Sequence, residues 1–283
     1  LNGATYTNTV SSDATTVTIT AAGLQALSNG STYTLTADVS DAAGNAAAQV
    51  TSSSFAVDTA LPTISAIATG DLSWGAVLNA TEDNSNGTVS VTTSGAEDGQ
   101  TVTITLNGAT YTNTVSSDAT TVTITAAGLQ ALTEGSVTMT ADVSDAAGNA
   151  AAQVTSSAFT YDKTAPTISE FTMNDTALDA DDTATVTIVF SEAVSGFESG
   201  DDVTVVNGAL PTMTSSDDIT WTETYTPTAD VEDSTNVLTL GISWTDTAGN
   251  AYAGATLDTA NFTIDTSTPS IGAIATGAFS WGT

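Results

Sequence analysis

The chain has 283 residues, and its 32 acidic side chains are matched by a single basic one, which gives a formal net charge of −31. This balance excludes ordinary nucleic-acid binding, which needs Lys and Arg to displace counterions from phosphates, and it excludes electrostatic docking on anionic lipid. Because such a charge repels itself and destabilises a compact state, we expect either high salt or a divalent cation to offset it in the native environment, and the nearly unpaired carboxylates favour the cation.

The composition also argues against catalysis. The chain has no His, no Cys and no Arg, so the usual pairs of nucleophile and base cannot be built. We therefore expect that the protein is not an enzyme. No apolar run approaches the roughly 18 residues of a spanning helix, so we expect no insertion into a membrane within this sequence.

Internal repeats are the strongest pattern in the chain. Residues 1–27 recur unchanged at 106–132, and residues 37–53 recur unchanged at 141–157. A looser copy of the second repeat begins at Thr245. Each repeat joins several short periodic segments, so we expect one domain per repeat.

The repeats divide the chain into four segments. Residues 1–58 form the C-terminal part of one domain, and residues 59–162 form a complete one. Residues 163–265 form a second complete domain of another subtype. Residues 266–283 start a further domain, because PSIGAIATGAFSWG there matches PTISAIATGDLSWG near the start of the first complete domain. We expect the sequence to be a window on a longer array.

Apolar residues alternate with Thr or Ser through the first complete domain, which predicts strands with one buried face. The predicted strands lie near 63–68, 88–94, 101–107, 109–116, 121–126, 136–144 and 151–161. Asn-Gly pairs begin at Asn2 and at Asn107, and each pair predicts a type I′ hairpin turn. The segment AAGLQALTEG, with Leu129 and Leu132 three residues apart, predicts one helical turn. Seven short antiparallel strands are typical of an all-β sandwich.

Acidic residues gather at the predicted joints between domains. With the strands named A to G, antiparallel order places the B–C and F–G loops beside the preceding domain. At the first joint the linker supplies Asp58, the B–C loop supplies Glu97 and Asp98, and the F–G loop DAAGN supplies Asp145 and Asn149.

The second joint repeats the arrangement. Its linker supplies Asp162, strand B ends near Glu192, and the F–G loop DTAGN supplies Asp246 and Asn250. The remaining candidates are Glu82 and Asp83 in the A–B crossover of the preceding domain, Asp41 in the first DAAGN loop, and Asp265 in the last linker.

These acids predict calcium at the joints. Ca²⁺ takes six to eight oxygen ligands from carboxylates, amides and carbonyls in flexible geometry, and a divalent cation offsets the repulsion of clustered carboxylates. Two simpler interpretations stay open. Asp and Asn are favoured in any turn because they bond their own backbone, and acidic loops also confer solubility.

The order of motifs resembles a known family. VLNATE, GTVSVTTSGAEDGQTVTITLNG, DAAGN and VDTALP resemble the bacterial immunoglobulin-like (Ig-like) repeats of giant biofilm-associated and RTX-type adhesins, and VTIVFSEAVSGF with DTAGNA resembles a second Ig-like subtype. The resemblance implies tandem Ig-like β-sandwiches in a linear rod, serving as an extender on the bacterial cell surface in adhesion or biofilm formation. It also implies calcium at the joints, held by Asp58, Asp145, Asp162 and Asp246, with neighbouring domains of the same chain as partners.

Two other functions stay open at this point. The repeats could assemble with other copies of the chain into an extracellular filament, surface layer or matrix polymer. Alternatively, one domain could be a carbohydrate-binding module, which predicts a patch of exposed aromatic residues on that domain. Near-identical repeats favour a uniform spacer over a domain-specific site.

Overall fold

The computed structural model describes residues 1–272, so most of the predicted start of the fourth domain, residues 273–283, lies outside the described part. The described chain is nearly all-β with mainly antiparallel sheets, which confirms the predicted fold class. It forms two compact units. The first contains Leu1–Ala76, Asn86–Leu132 and Ser136–Phe159; the second contains Val77–Ser85, Thr133–Gly135 and the chain from Thr160 onward. The predicted domain boundaries stay a prediction. Within residues 1–272, no helix combines the length and apolar character needed to cross a membrane.

The first unit begins with a lightly packed segment. Its elements are α1 (Ala21–Gln25), β1 (Thr32–Tyr33), β2 (Thr36–Ala37), β3 (Val50–Thr51) and β4 (Phe55–Ala56). β1 pairs with β4 and β2 pairs with β3, both antiparallel. Val17 and Leu24 are 43% and 50% exposed here, whereas their repeats Val122 and Leu129 are fully buried. In the second copy, residues 63–106 supply the neighbouring strands against which Val122 and Leu129 are buried.

The strands that follow along the chain are β5 (Thr63–Ile64), β6 (Val77–Leu78), β7 (Gly87–Ser94), β8 (Thr101–Leu106), β9 (Ala109–Thr114), β10 (Ala119–Ile124), β11 (Gly135–Val137), β12 (Thr140–Asp142), β13 (Val154–Thr155) and β14 (Phe159–Tyr161). Of these, β6 belongs to the second unit. α2 spans Ala126–Gln130, and short 3₁₀ helices span Thr69–Asp71 and Glu82–Asn84. Two sheets of the first unit have the orders β10-β7-β5 and β13-β12-β8-β9.

The alternating side chains form the core of this unit as predicted. Val89 and Val91 of β7, Val102 and Ile104 of β8, and Val122 of β10 are at most 1% exposed. The Thr and Ser residues between them lie on the outer face, where β-branched Thr suits an exposed strand. Burying each large apolar side chain contributes roughly 1.5–3 kcal/mol, so this alternation is the main source of stability in the unit.

The predicted turn and helical turn are confirmed. Asn107 and Gly108 have φ values of 49° and 78°, the pair of positive angles that a type I′ turn requires. α2 begins at its N-cap Thr125, whose hydroxyl accepts a hydrogen bond from the Gly128 amide at 3.2 Å. Leu129 and Leu132 are both buried, so the helical turn packs its apolar side onto the core.

Two predicted strands are interrupted. The segment predicted at 136–144 forms β11 and β12, and the segment predicted at 151–161 forms β13 and β14, because the chain passes from one sheet to another within each. β12 pairs with both β8 and β13, whereas β11 and β14 belong to a small separate sheet. The sequence analysis also missed β6, which is two residues long and therefore shows no periodicity.

The second unit contains β6 and the strands β15 (Ile168–Met173), β16 (Ala177–Asp179), β17 (Ala184–Phe190), β18 (Val194–Ser195), β19 (Val203–Thr204), β20 (Gly208–Ala209), β21 (Thr220–Pro227), β22 (Glu232–Asn236), β23 (Thr239–Leu240), β24 (Thr245–Asp246), β25 (Leu257–Asp258) and β26 (Phe262–Asp265), with α3 at Ser199–Asp202. The main sheets have the orders β15-β17-β21-β20, β16-β26-β22 and β19-β23-β25. The core surrounds Trp244, whose ring lies 4.5 Å from Phe190 and 4.9 Å from Tyr252 between centroids.

Two parallel pairs end close to the predicted joints. β6 runs parallel to β14, with Leu78 opposite Tyr161, and β16 runs parallel to β26, with Leu178 opposite Ile264. Each pair places the end of a short strand beside the start of a linker. The residues after β6 and β16 are therefore held next to Asp162 and Asp265.

Candidate functional site

The loop sequence Asp-x-x-Gly-Asn occurs at 41–45, 145–149 and 246–250, and it folds in the same way each time. Oδ1 of the Asp accepts a hydrogen bond from the backbone amide of the Asn at 2.7–2.8 Å, and Oδ2 accepts one from the Asn Nδ2 at 2.8 Å. The Gly has a φ of 92° or 93° in each loop, which Gly adopts without steric cost. The turn chemistry considered in the sequence analysis is therefore present in all three loops.

Three carboxylates meet in the second unit. One carboxylate oxygen each from Asp162, Glu192 and Asp246 lies within 4.8 Å of the other two. Asp162 and Glu192 are half-buried, and Asp246 is 1% exposed. Among residues 1–272, this is where acidic side chains come together in a group of three with the spacing of metal ligands.

Strand ends position this group. Asp162 follows β14, and its amide donates to the Leu78 carbonyl at 2.9 Å. Glu192 lies just after β17, and Asp246 ends β24, which pairs with β18 through Val194 opposite Asp246. The strand pairing thus brings together the linker that holds Asp162, the segment just after β17 that holds Glu192, and the DTAGN loop.

Burial and mutual repulsion raise the pKa of two of these acids. For Glu192, burial is the largest cause, followed by the charges of Asp162, Asp246 and Glu134. For Asp162, burial again raises the pKa most, the Thr164 amide opposes it, and the charges of Asp246 and Glu134 add to it. The ionised group is therefore unfavourable by itself, and a bound cation would relieve it.

The corresponding residues of the first unit meet differently. The Ala146 amide donates to Glu97 Oε2 at 2.8 Å, and Asn149 Nδ2 donates to the Asp58 carbonyl at 3.3 Å. Linker, B–C loop and F–G loop therefore converge here as well. Because the Asn149 side-chain amide and nearby backbone amides bond to Asp145, the pKa of Asp145 is lowered. Hydrogen bonds inside the protein stabilise these carboxylates.

The Asn250 amide is fully engaged in hydrogen bonds. Its Nδ2 donates to the Asp162 carbonyl at 3.0 Å and to Asp246 Oδ2 at 2.8 Å, and its Oδ1 accepts from the Ala80 amide at 2.9 Å. All of these residues belong to the second unit. The predicted ligand oxygen of Asn250 thus faces a backbone N–H, and Asn250 connects three segments.

Glu82 and Asp83 lie outside the group of three acids. Glu82 Oε2 accepts from the Asn79 amide at 3.1 Å and closes its own turn. Asp83 Oδ2 accepts from the Tyr161 hydroxyl at 2.7 Å, and both side chains are buried. The A–B crossover does reach the DTAGN loop, but through Asn79 and Ala80.

Three further predicted residues are also separate from the group. Asp98 Oδ1 accepts from the Ser117 amide at 2.7 Å and joins two loops of the first unit. Asp41 is exposed and bonds within its own loop, where the Asn45 side chain lowers its pKa. Asp265 is exposed at the end of β26, opposite Asp179 and Glu232.

The sequence analysis missed Asn79 and Glu134. Asn79 Nδ2 donates to the Ala248 carbonyl at 3.0 Å, and Glu134 Oε1 accepts from the Lys163 amide at 2.9 Å and the Thr164 hydroxyl at 2.8 Å. Asn79 therefore holds the DTAGN loop, and Glu134 holds the linker. Glu134 could have been predicted from its position between an apolar helical turn and Gly135, from which a side chain can reach the following linker.

Replacing Gly249 by Ala tests how tightly the DTAGN loop fits. A Cβ at Gly249 would lie 3.2 Å from Asn79 Nδ2, whereas a Cβ at Gly148, which has the same φ of 92°, meets nothing within 4 Å. Both substitutions place Ala in the left-handed region, at a cost of about 1–2 kcal/mol. We expect Gly249→Ala to lower the free energy of unfolding more than the matched control Gly148→Ala, measured by denaturant unfolding. Equal losses would contradict the tight contact.

Comparison with known proteins finds a family model that matches part of this chain. No curated protein matches this chain. Residues 162–264 match the family model of the bacterial Ig-like domain.

Several solved structures are similar to parts of the chain. A Ca²⁺-stabilised adhesin that helps an Antarctic bacterium reach out and bind ice is 26% identical, with a TM-score of 0.44 over 95% of this chain and 64% of that one. A 1.5-MDa bacterial ice-binding adhesin is 24% identical, with a TM-score of 0.42 over 87% and 78%. A bacterial Ig-like domain of the M. primoryensis ice-binding adhesin is 33% identical, with a TM-score of 0.25 over 35% and 93%. This chain spans less than two thirds of the first of these structures.

Proposed function

We propose that this chain is an extender segment of a bacterial cell-surface adhesin, stiffened by Ca²⁺ at the joints between its domains, because residues 162–264 match the family model of the bacterial Ig-like domain. Its role is structural, it acts outside the cell, and its immediate partners are the neighbouring Ig-like domains of the same chain. The observation that carries the proposal is the group formed by Asp162, Glu192 and Asp246.

The donor atoms suit calcium. Three carboxylates supply roughly half of the six to eight oxygens that Ca²⁺ takes, and backbone carbonyls and water commonly supply the others. The set contains no nitrogen or sulfur donor, which disfavours zinc and copper. Lys163, the one basic side chain of the protein, lies over the Tyr161 ring at 5.6 Å from its centroid. Calcium would supply the positive charge that the group of acids needs.

The placement of the three acids explains how a cation would stiffen the chain. Asp162 lies in a predicted linker, whereas Glu192 and Asp246 lie in the domain that follows it. Domains joined by small interfaces move relative to one another by default. A cation bound by all three residues fixes the linker to the following domain and removes that freedom.

The two joints are expected to differ in affinity. Glu97 and Asp145 of the first unit already accept hydrogen bonds from backbone and side-chain amides, so calcium gains less there. Asp162 and Glu192 have raised pKa values because burial and like charges disfavour their ionised forms. Calcium should therefore fill the joint at Asp162 first.

Small-angle X-ray scattering of the whole chain tests the proposal. In excess calcium we expect a larger radius of gyration and a larger maximum dimension than in chelator, because fixed joints keep consecutive domains extended. A magnesium sample is the matched control, since Mg²⁺ is smaller and demands near-ideal octahedral geometry.

The outcomes separate the candidate functions. Identical scattering profiles with calcium and with chelator would contradict the stiffening role. A dilution series at each condition measures association, and growth of the particle with protein concentration in calcium would favour a filament-forming protein over a spacer.

A further inference from the structure

The first unit has a long edge strand whose outer side is open. β9 is the last strand in the order β13-β12-β8-β9, and within residues 1–272 its only strand partner is β8. Five of its six residues are exposed, and Tyr111 is half-buried. A strand at the edge of a sheet presents a row of unpaired N–H and C=O groups, which can pair with another chain.

The turn before β9 determines which of these groups point outward. The two-residue turn at Asn107 and Gly108 makes Leu106 and Ala109 a hydrogen-bonded pair, and such pairs alternate with non-bonded pairs along the two strands. β9 therefore bonds to β8 through its odd-numbered residues and directs the backbone groups of its even-numbered residues to solvent. The even-numbered residues are Thr110, Thr112 and Thr114.

Two of these three residues keep both backbone groups free. Within the described part of the chain, no hydrogen bond from another segment reaches the amide or the carbonyl of Thr110 or Thr112. The Thr114 amide bonds to Asn113 Oδ1 at 2.9 Å, a contact with its neighbour in sequence that a new partner can displace. β9 therefore has the donors and acceptors for a further antiparallel strand.

The other edge strands of residues 1–272 are protected against such pairing. Most are two or three residues long. β15 and β22 are bulged and carry acidic side chains, and at β10 the Asn113 side chain donates to the Thr121 carbonyl at 2.8 Å. Short length, bulges, charge and cover are the usual features that prevent edge-to-edge association. β9 has six residues in continuous register, without charge, Pro or bulge.

Charge favours one partner and one orientation. Because the chain carries a net charge of −31, two copies approach most easily through an uncharged strand. The acidic end of β9 is its C-terminal end, where Asp118 follows and Asp98 accepts from the Ser117 amide at 2.7 Å. In an antiparallel arrangement this end lies beside the uncharged turn at Asn107 of the other copy, whereas a parallel arrangement would bring the acidic ends together.

We propose that β9 is an interaction surface that pairs with β9 of a second copy of this chain, antiparallel and about a two-fold axis at Thr112. In this register Thr112 lies opposite Thr112 of the second copy, and Thr110 lies opposite Thr114. Each such pair exchanges two backbone hydrogen bonds, and the two sheets join into one. Pairing about a two-fold axis stops at two copies, which distinguishes it from the open growth of a filament. It requires no cation.

Cysteine cross-linking tests the register. The chain has no Cys, so one introduced thiol can form a disulfide only between two copies. In the proposed pair the two Cα atoms at Thr112 are about 5.5 Å apart, within the range that a disulfide bridges. The two Cα atoms at Thr110 are roughly 14 Å apart, because each lies opposite Thr114.

Thr112→Cys and its matched control Thr110→Cys are oxidised as whole chains, in chelator and in high salt, which screens the repulsion between copies. We expect Thr112→Cys to form disulfide-linked dimers faster than Thr110→Cys by on the order of tenfold or more. Both substitutions are at exposed positions of the same strand, so the comparison does not depend on a difference in folding.

Sedimentation velocity across a concentration series is the second measurement, in the same buffer. We expect the mass of the native chain to rise from that of one copy towards that of two. Thr112→Pro removes the central amide and should keep the chain monomeric, since Pro is tolerated where the N–H of an edge strand faces solvent. Thr112→Val retains the amide and should associate like the native chain.

The outcomes are distinct. Equal cross-linking rates of the two Cys variants, or a native chain that stays a single copy at every concentration, would overturn the proposal and leave this edge to an extended strand of another protein. Assembly beyond two copies would also overturn it, because two-fold pairing is closed. Every sample contains chelator, so failure of the calcium site would leave these results unchanged.

Discussion

Replacing Glu192 by Gln is expected to raise the melting temperature of the protein in chelator and to lower it in excess calcium. In chelator, the Glu192 carboxylate is half-buried beside Asp162 and Asp246, and its pKa is raised. The amide has nearly the same shape and no charge, so it removes this repulsion. In calcium, the same substitution removes one of three carboxylate ligands.

The calcium-dependent part of this effect is large. A ligand at 100 times its dissociation constant stabilises the folded state by about 2.7 kcal/mol, and at 1,000 times by about 4.1 kcal/mol. For domains of about 100 residues, each kcal/mol changes the melting temperature by about 4–8 °C. Scanning calorimetry of the native chain and of Glu192→Gln, each in chelator and in calcium, measures whether the shift in melting temperature changes sign.

Glu97→Gln is the matched control for Glu192→Gln. Glu97 Oε2 accepts from the Ala146 amide, so its replacement weakens a hydrogen bond even without metal. We expect a loss on the order of 1 kcal/mol in chelator and a loss of the same sign in calcium, since Glu97 is itself a predicted ligand of the weaker joint. If Glu192→Gln also shifted the melting temperature in the same direction in both buffers, the calcium site would be wrong.

Acidification is the second test with a large expected effect, and its sign depends on the metal. The pKa values of Asp162 and Glu192 are raised above their ordinary values of 3.8 and 4.5, so the folded state holds their protons more tightly than the unfolded state. Without metal, their contribution to stability is complete below the ordinary pKa values and is lost as the pH rises through the raised ones. We therefore expect acidification from neutral pH to stabilise the metal-free joint.

With calcium, acidification should destabilise the same joint. Protons compete with the cation for ionised carboxylates, so the stabilisation by calcium disappears over the pH range in which the metal-free joint gains stability. Denaturant unfolding at a series of pH values, in chelator and in calcium, measures both slopes.

A double variant separates these two acids from the rest of the charged chain. The pKa values of Asp41, Asp145 and Asp217 are lowered, so the protein loses stability in stronger acid. Acid also makes the net charge, which is −31 at pH 7, less negative. Asp162→Asn with Glu192→Gln keeps these background effects and removes the two groups. A pH profile equal to that of the native chain in both buffers would contradict the assignment.

Much of the fold could be predicted because it follows from local patterns. Alternation of apolar residues with Thr places Val102, Ile104 and Val122 in the core, and Asn107 with Gly108 defines its own turn. The interrupted strands could not be predicted in this way. A change of sheet within 151–161 depends on which strands lie beside the segment, and alternation does not report that.

The candidate site was only partly predictable. Asp162, Glu192 and Asp246 were all among the predicted ligands, because acids in linkers and F–G loops are visible in the sequence. The sequence treats the two joints alike, yet Glu97 bonds to the Ala146 amide while Glu192 faces two carboxylates. The role of Asn250 was missed because its partner Ala80 contributes a backbone amide 170 residues away.

The exact repetition of one segment has a consequence for how the chain folds. Residues 1–27 and 106–132 are identical, so during folding the strands β5, β7 and β8 have two equivalent sequences with which to build a core. Exchange of identical elements is a known route to misassembly in repeat proteins. The intended partner follows β8 directly, and short loops close faster than long ones. Proximity along the chain, rather than any difference in side chains, therefore selects the correct copy.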